Sequence, residues 1–132
     1  LGHLAGNAAT IYPRLARAGE KLRRGVEQAF AAEGIAARCT GDGNDVVRGS
    51  SLVMVHFPRE GQTAGAGPEE LQDERRVDRA LREELLKLAL LVHGVNVVHG
   101  GGAVSAAHRD GDVAKTLAAY AEAARLFRKY LR

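Results

Sequence analysis

Between residues 51 and 57 the chain reads Ser-Leu-Val-Met-Val-His-Phe, a run of β-branched, aliphatic and aromatic residues bounded by turn formers. As a strand it points Leu52, Met54 and His56 to one face and Val53, Val55 and Phe57 to the other. Apolar side chains on both faces demand a central or covered strand, so other elements must pack against it. Pro58 ends it, because proline has no N–H to give the ladder.

The covering elements are helices. From residue 11 to 33, Leu15, Leu22, Val26, Ala29 and Phe30 recur at helical spacing, and Arg14, Arg17, Lys21, Arg23, Arg24 and Glu27 take the outer face. Pro13 suits a first turn and Gly34 a C-terminal stop. A second helix is expected over 68–93, opened by Pro68-Glu69-Glu70, carried by Leu71, Val77, Leu81, Leu85 and Leu88, and closed by Gly94. A third opens near Asp110 and turns Val113, Leu117, Tyr120, Ala124, Phe127 and Leu131 inward.

Shorter strands are expected at 35–40, 95–99 and 103–107, with turns at 41–45 and at Gly100-Gly101-Gly102, and a loop at 59–68. The order is helix, two strands, helix, two strands, helix. Hairpin spacing around the glycine triplet favours antiparallel pairing, so the class is α+β: a small, mainly antiparallel sheet with helices packed on it.

At 132 residues, 45% apolar and 27% charged, the chain has one domain's worth of core and is too hydrophobic for disorder. A single cysteine, Cys39, excludes a disulfide framework and a four-cysteine zinc site. No apolar run nears the roughly 20 residues of a membrane span, and no signal peptide is visible, so a cytoplasmic protein without membrane contact is expected. A start at Leu1, not Met, reads as a piece of a longer or processed chain. The net charge is +3, but the arginines are interleaved with acids, as in Glu69-Glu70-Leu71-Gln72-Asp73-Glu74-Arg75-Arg76, which disfavours nucleic acid as a partner.

Residue-level chemistry is sparse. His56, His93, His99 and His108 have no ligand spacing and no accompanying carboxylate, so no metal site is expected and local hydrogen bonding is the favoured reading. Cys39 on a short strand reads as a small core residue before it reads as a nucleophile. The glycine triplet leads into a strand, which denies it the helix N-terminus that phosphate loops use.

One string stands apart: residues 91–108, Leu-Val-His-Gly-Val-Asn-Val-Val-His-Gly-Gly-Gly-Ala-Val-Ser-Ala-Ala-His, followed by Asp110, Asp112, Val113, Thr116 and Leu117. It resembles the C-terminal small domain of class III pyridoxal-phosphate-dependent aminotransferases, most of all the glutamate-1-semialdehyde aminomutase group. Residues 15–26, Leu-Ala-Arg-Ala-Gly-Glu-Lys-Leu-Arg-Arg-Gly-Val, are similar to the small-domain helix of those enzymes, and Gly2-His3-Leu4-Ala5-Gly6-Asn7 to the Gly-Thr-x-x-Gly-Asn segment before it.

The resemblance implies the C-terminal domain of a fold-type I enzyme, with residues 1–10 a connector and 11–132 the small domain. It implies a homodimer with its active site between subunits, pyridoxal 5'-phosphate as the parent's cofactor, and an amino substrate. Gly2 and His3 fall where the family meets the phosphate of the neighbouring subunit, although His3 replaces the family's threonine. Ser105 and His108 fall at a corner that is either structural or in contact with substrate. Arg109 stands where the family caps the last helix with threonine, which passes the cap to Asp110. The reacting lysine belongs to a large domain, and Lys21, Lys87, Lys115 and Lys129 all sit on charged faces of expected helices, so no catalytic residue is assigned and this chain alone is expected to be inactive. A non-catalytic α+β dimerisation module derived from the same domain is the alternative, with the helix at 68–93 as its contact.

Overall fold

The computed structural model describes residues 2–41, 49–62 and 69–130. Helix α1 spans Gly2–Ala32, strand β1 Arg38–Thr40 and strand β2 Leu52–His56. A π-helical segment, Leu81–Leu86, continues into α2, Lys87–Val92, and β3 (Gly101–Ala103) and α3 (Asp110–Tyr130) complete the chain. The three strands form one antiparallel sheet in the order β1-β2-β3, an α+β domain as the pattern of elements predicts.

α1 stops where glycine allows it to. Gly34 has φ +72°, and the amides of Glu33, Gly34 and Ile35 turn back onto the carbonyls of Phe30 and Ala31. The start differs from expectation: the helix begins at Gly2, so Pro13 lies inside it and residues 2–10 are helical. Side chains from Ala5 to Pro13 are exposed or half-buried, so little packing holds this stretch and its alanines favour the helix locally.

Pairing places β2 in the centre, with Cys39 opposite Val55 and Val53 opposite Gly102. Its Val53-Val55 face packs under α1 and α3, where Val26, Phe30 and Val55 are fully buried. Phe30 meets Phe57 edge-on at 5.0 Å between ring centroids and lies 5.9 Å from Phe127. The other face is not covered along its length. Leu52 and Met54 are exposed, and burial resumes only at His56.

The second helix forms later than 68–93. Between residues 69 and 78 the chain makes turns: Asp73 binds the Arg75 amide and guanidinium, Pro58 bridges to Val77, and the Asp78 amide bonds to the Phe57 carbonyl. With one apolar residue between 69 and 76, Leu71, that stretch has no face to bury as a helix. Asp78 then caps the helical run by accepting from the Leu81 amide. Leu86, Ala89 and Leu90 enter the core.

The second pair of strands is also shifted. Residues 95–99 form no strand; Val98 and Gly101 exchange two hydrogen bonds of 3.0 Å across a two-residue turn, with φ +52° at His99 and +77° at Gly100. The turn is therefore His99-Gly100, and Gly101 and Gly102 enter β3 in place of the 103–107 strand. An added Cβ on Gly101 would overlap the Val53 backbone, so this glycine serves close strand approach and not a turn. The expected turn at 41–45 lies, beyond Gly41, outside the described residues, as do 63–68 of the expected loop and Leu131.

Two glycines inside α1 separate backbone from side-chain crowding. A Cβ on Gly19 would overlap the Ser50 carbonyl, whereas on Gly25 it would meet only the tip of Leu117. Gly19→Ala is expected to cost about 2 kcal/mol by overpacking, despite a helix-propensity gain of about 1 kcal/mol. Gly25→Ala should stay within about 1 kcal/mol of wild type because a Leu rotamer can yield. Urea unfolding of both variants tests the contrast, and equal stabilities would refute it.

Candidate functional site

The corner between β3 and α3 is held by its own side chains. Ser105 donates its backbone N–H to Nδ1 of His108 at 2.9 Å, and its Oγ lies 2.9 Å from the same nitrogen. An amide can only donate, so Nδ1 is unprotonated and the ring proton sits on Nε2. Arg14 reaches from α1 to donate to the carbonyls of His108 at 2.7 Å and Ala106 at 3.1 Å. The α3 cap differs from expectation: Asp112, not Asp110, accepts from the Arg109 amide at 2.8 Å, the reciprocal half of a capping box. Asp112 is three residues past Arg109 and can reach back to it, which Asp110 in the first turn cannot do as well.

Behind this corner lies a cavity of about 150 Å³. Leu22, Val53 and Val97 form apolar walls; Asn96, His108, Asp112, Thr116 and Tyr120 supply polar groups. Thr116 Oγ1 donates to the Asp112 carbonyl, and burial pushes the Tyr120 phenol up from its ordinary range. The cavity thus offers neutral donors and one carboxylate. It can orient a small polar group but holds no activated nucleophile.

A second polar assembly runs from the interior to the surface. His56 is 1% exposed. Its Nδ1 accepts from Arg82 Nη1 at 2.9 Å, which leaves Nε2–H to donate to Thr40 Oγ1 at 2.9 Å. Arg82, itself buried, grips Glu83 Oε1 through Nη2 and Nε, and the exposed His99 ring donates to Glu83 Oε2 at 2.8 Å. Burial opposes the Glu83 charge, but hydrogen bonds from His99 and Arg82 outweigh it and hold the carboxyl below its usual range. Gly100, with no Cβ, admits the aliphatic stem of Arg82 beneath the turn.

Arg23 is a third such residue. Sequence periodicity puts it on the outer face of α1, yet it is 5% exposed and donates through Nη1 to the carbonyls of Gly41, Ser50 and Leu52. Glu27, also expected outward, accepts from the Cys39 amide at 2.7 Å. Both turn toward β1 and β2 because the sheet and its flanking loop leave carbonyls and amides without ladder partners there. The signal available in sequence was Gly19, one turn before Arg23, where α1 lets another backbone approach.

Of the residues singled out by sequence, Ser105 and His108 are brought together, and Gly2 is not joined to them. Gly2 is exposed in the first turn of α1, with nothing within 4 Å of where its Cβ would stand, and the His3 side chain lies outside the described residues. Lys21, Lys87, Lys115 and Lys129 are all exposed on helices. Cys39 is a buried free thiol, pushed up to about 12 chiefly by burial and then by the Glu27 charge, so it packs as an uncharged side chain. Among the described residues no group of three or more His, Cys, Asp or Glu is placed to hold a metal ion, and no helix is long and apolar enough to cross a membrane. No known family model matches the chain, and no curated protein does.

Proposed function

We propose that this chain is the small-domain portion of a cytoplasmic, homodimeric, class III aminotransferase or aminomutase-like enzyme. In this reading it covers an active site whose Schiff-base lysine and cofactor contacts are supplied by a large domain. The observation that carries the reading is the corner itself. The string Ser105-Ala106-Ala107-His108, whose resemblance is to a strand-to-helix junction of that family, lies between β3 and the acidic start of α3 and is stapled to α1 by Arg14.

Gly2 stands alone, and none of the four lysines sits in a desolvated pocket where an uncharged amine is favoured. The chain's contribution would be to close over a substrate and exclude water, as lid domains do. Mixing the chain with pyridoxal phosphate should produce no stoichiometric aldimine absorbance, and borohydride should trap only scattered labelling of the exposed lysines. A stable adduct trapped at one specific lysine would overturn the division of labour.

A second reading rests on a different feature: Leu85, Leu88, Leu91 and Val92 are exposed along one run of helix. Such a row favours a module that works by self-association. Light scattering separates the two, since a tight homodimer of this chain supports the module and a monomer the severed lid.

A further inference from the structure

We propose that the groove between α1 and the start of α3 binds a phosphomonoester with an apolar body, an alkyl or aryl phosphate. The groove measures about 480 Å³. Arg14, Arg17 and Lys21 lie along one stripe of α1 at spacings of three and four residues, and Arg109 faces them from the corner before α3. Asp110 is the only acid in the lining among the described residues.

Three of these cations have no side-chain partner among the described residues: Arg17, Lys21 and Arg109 make no ion pair or side-chain hydrogen bond there. Most described arginines elsewhere are matched, as in Arg24 with Glu20, Arg75 with Asp73 and Arg128 with Glu33, Arg38 being an exception. The fourth, Arg14, is fixed by two carbonyls on a single nitrogen, Nη2, so its Nε and Nη1 donors stay uncommitted on an immobilised plane. Immobilised, unneutralised guanidinium groups are the geometry that recognises phosphate oxygens by paired donors.

The floor specifies more than charge. Val104 and Val113 are buried, Leu15 and Ala18 half-buried, and together they give the groove an apolar base beneath its cationic rim. A bare inorganic anion leaves that base wet. An organic phosphate covers it while placing a dianion among the cations, since the second phosphate pKa is about 6. The groove would act whether or not the chain closes over a cofactor held elsewhere.

The test is titration of the full chain with phenyl phosphate and with inorganic phosphate, followed by amide chemical shifts against a sodium chloride baseline. Saturable shifts confined to residues 14–21 and 104–113 are expected, with phenyl phosphate binding about tenfold more tightly than inorganic phosphate. The double variant Arg17→Ala/Lys21→Ala, exposed and free of the core, should lose about tenfold in affinity at unchanged circular dichroism. Lys87→Ala removes a cation from another face and should bind as wild type does. Shifts that only track ionic strength, equal affinity for the two phosphates, or equal losses in the groove variant and Lys87→Ala would each overturn the proposal.

Discussion

Replacing Arg23 with alanine should lower the unfolding free energy by about 3 kcal/mol, because the side chain closes a gap in backbone hydrogen bonding at three carbonyls. Its Nη1 lies 3.2, 3.1 and 2.7 Å from the carbonyls of Gly41, Ser50 and Leu52. Those carbonyls come from the two ends of the 42–48 connection, so one guanidinium holds the exit from β1 to the entry into β2. Its other arm binds Glu20 Oε2 at 2.9 Å, and that bond does most to hold the Glu20 carboxyl below its usual range. Arg23→Lys should recover only part of the loss, since an ammonium lacks the planar fork that serves carbonyls and carboxylate together. Urea denaturation compares the three proteins. A loss within about 0.5 kcal/mol for the alanine variant, the usual range for a surface site, would show that water replaces the guanidinium without penalty.

The same residue shows what was legible in the sequence and what was not. Periodicity identifies Leu22, Val26 and Phe30 as the buried stripe of α1, and all three are buried. It assigns Arg23 and Glu27 outward because it classes residues by type, whereas their burial depends on which carbonyls and amides the neighbouring sheet leaves unpaired. His56 follows the same rule: alternation puts it with Leu52 and Met54, but it is buried and they are exposed, since Arg82 covers only its end of the strand. The turn lies at His99-Gly100 and not across Gly100-Gly101-Gly102 for a related reason. A glycine required by positive φ and a glycine required by close strand approach look alike in sequence, and here Gly100 is the first kind and Gly101 the second. At the corner, Ser105 and His108 were identifiable from their motif, but Arg14, 92 residues from Ala106 in the chain, carries no local signal of its role.

Acidification should destabilise the fold well before its carboxylates titrate, and His56 is the cause. Burial, reinforced by the charges of Arg82 and Arg38 and opposed by Glu83, pushes its imidazole down to about 4 from an ordinary value of 6.5. The geometry demands this neutrality: with Arg82 donating to Nδ1, a proton added there would face a guanidinium at 2.9 Å. In the unfolded chain the ring takes up its proton near pH 6.5, while in the folded chain it does not. Unfolding is then proton-linked over that interval, so the stability present above pH 6.5 is lost progressively as the pH falls toward 4, by about 2.5 kcal/mol between pH 7 and 4.5. The carboxyls of Glu20, Glu83 and Asp73 are all held below their usual range, so their contributions fall away at lower pH and leave this window to the histidine. His56→Gln removes the titration but keeps a donor and an acceptor for Thr40 and Arg82. It should be less stable than wild type at pH 7, through imperfect replacement of two hydrogen bonds, yet nearly flat from pH 7 to 4.5. Urea midpoints at those two values decide the matter, and a variant whose stability falls as steeply as that of the wild type would assign the acid sensitivity to groups other than the buried imidazole.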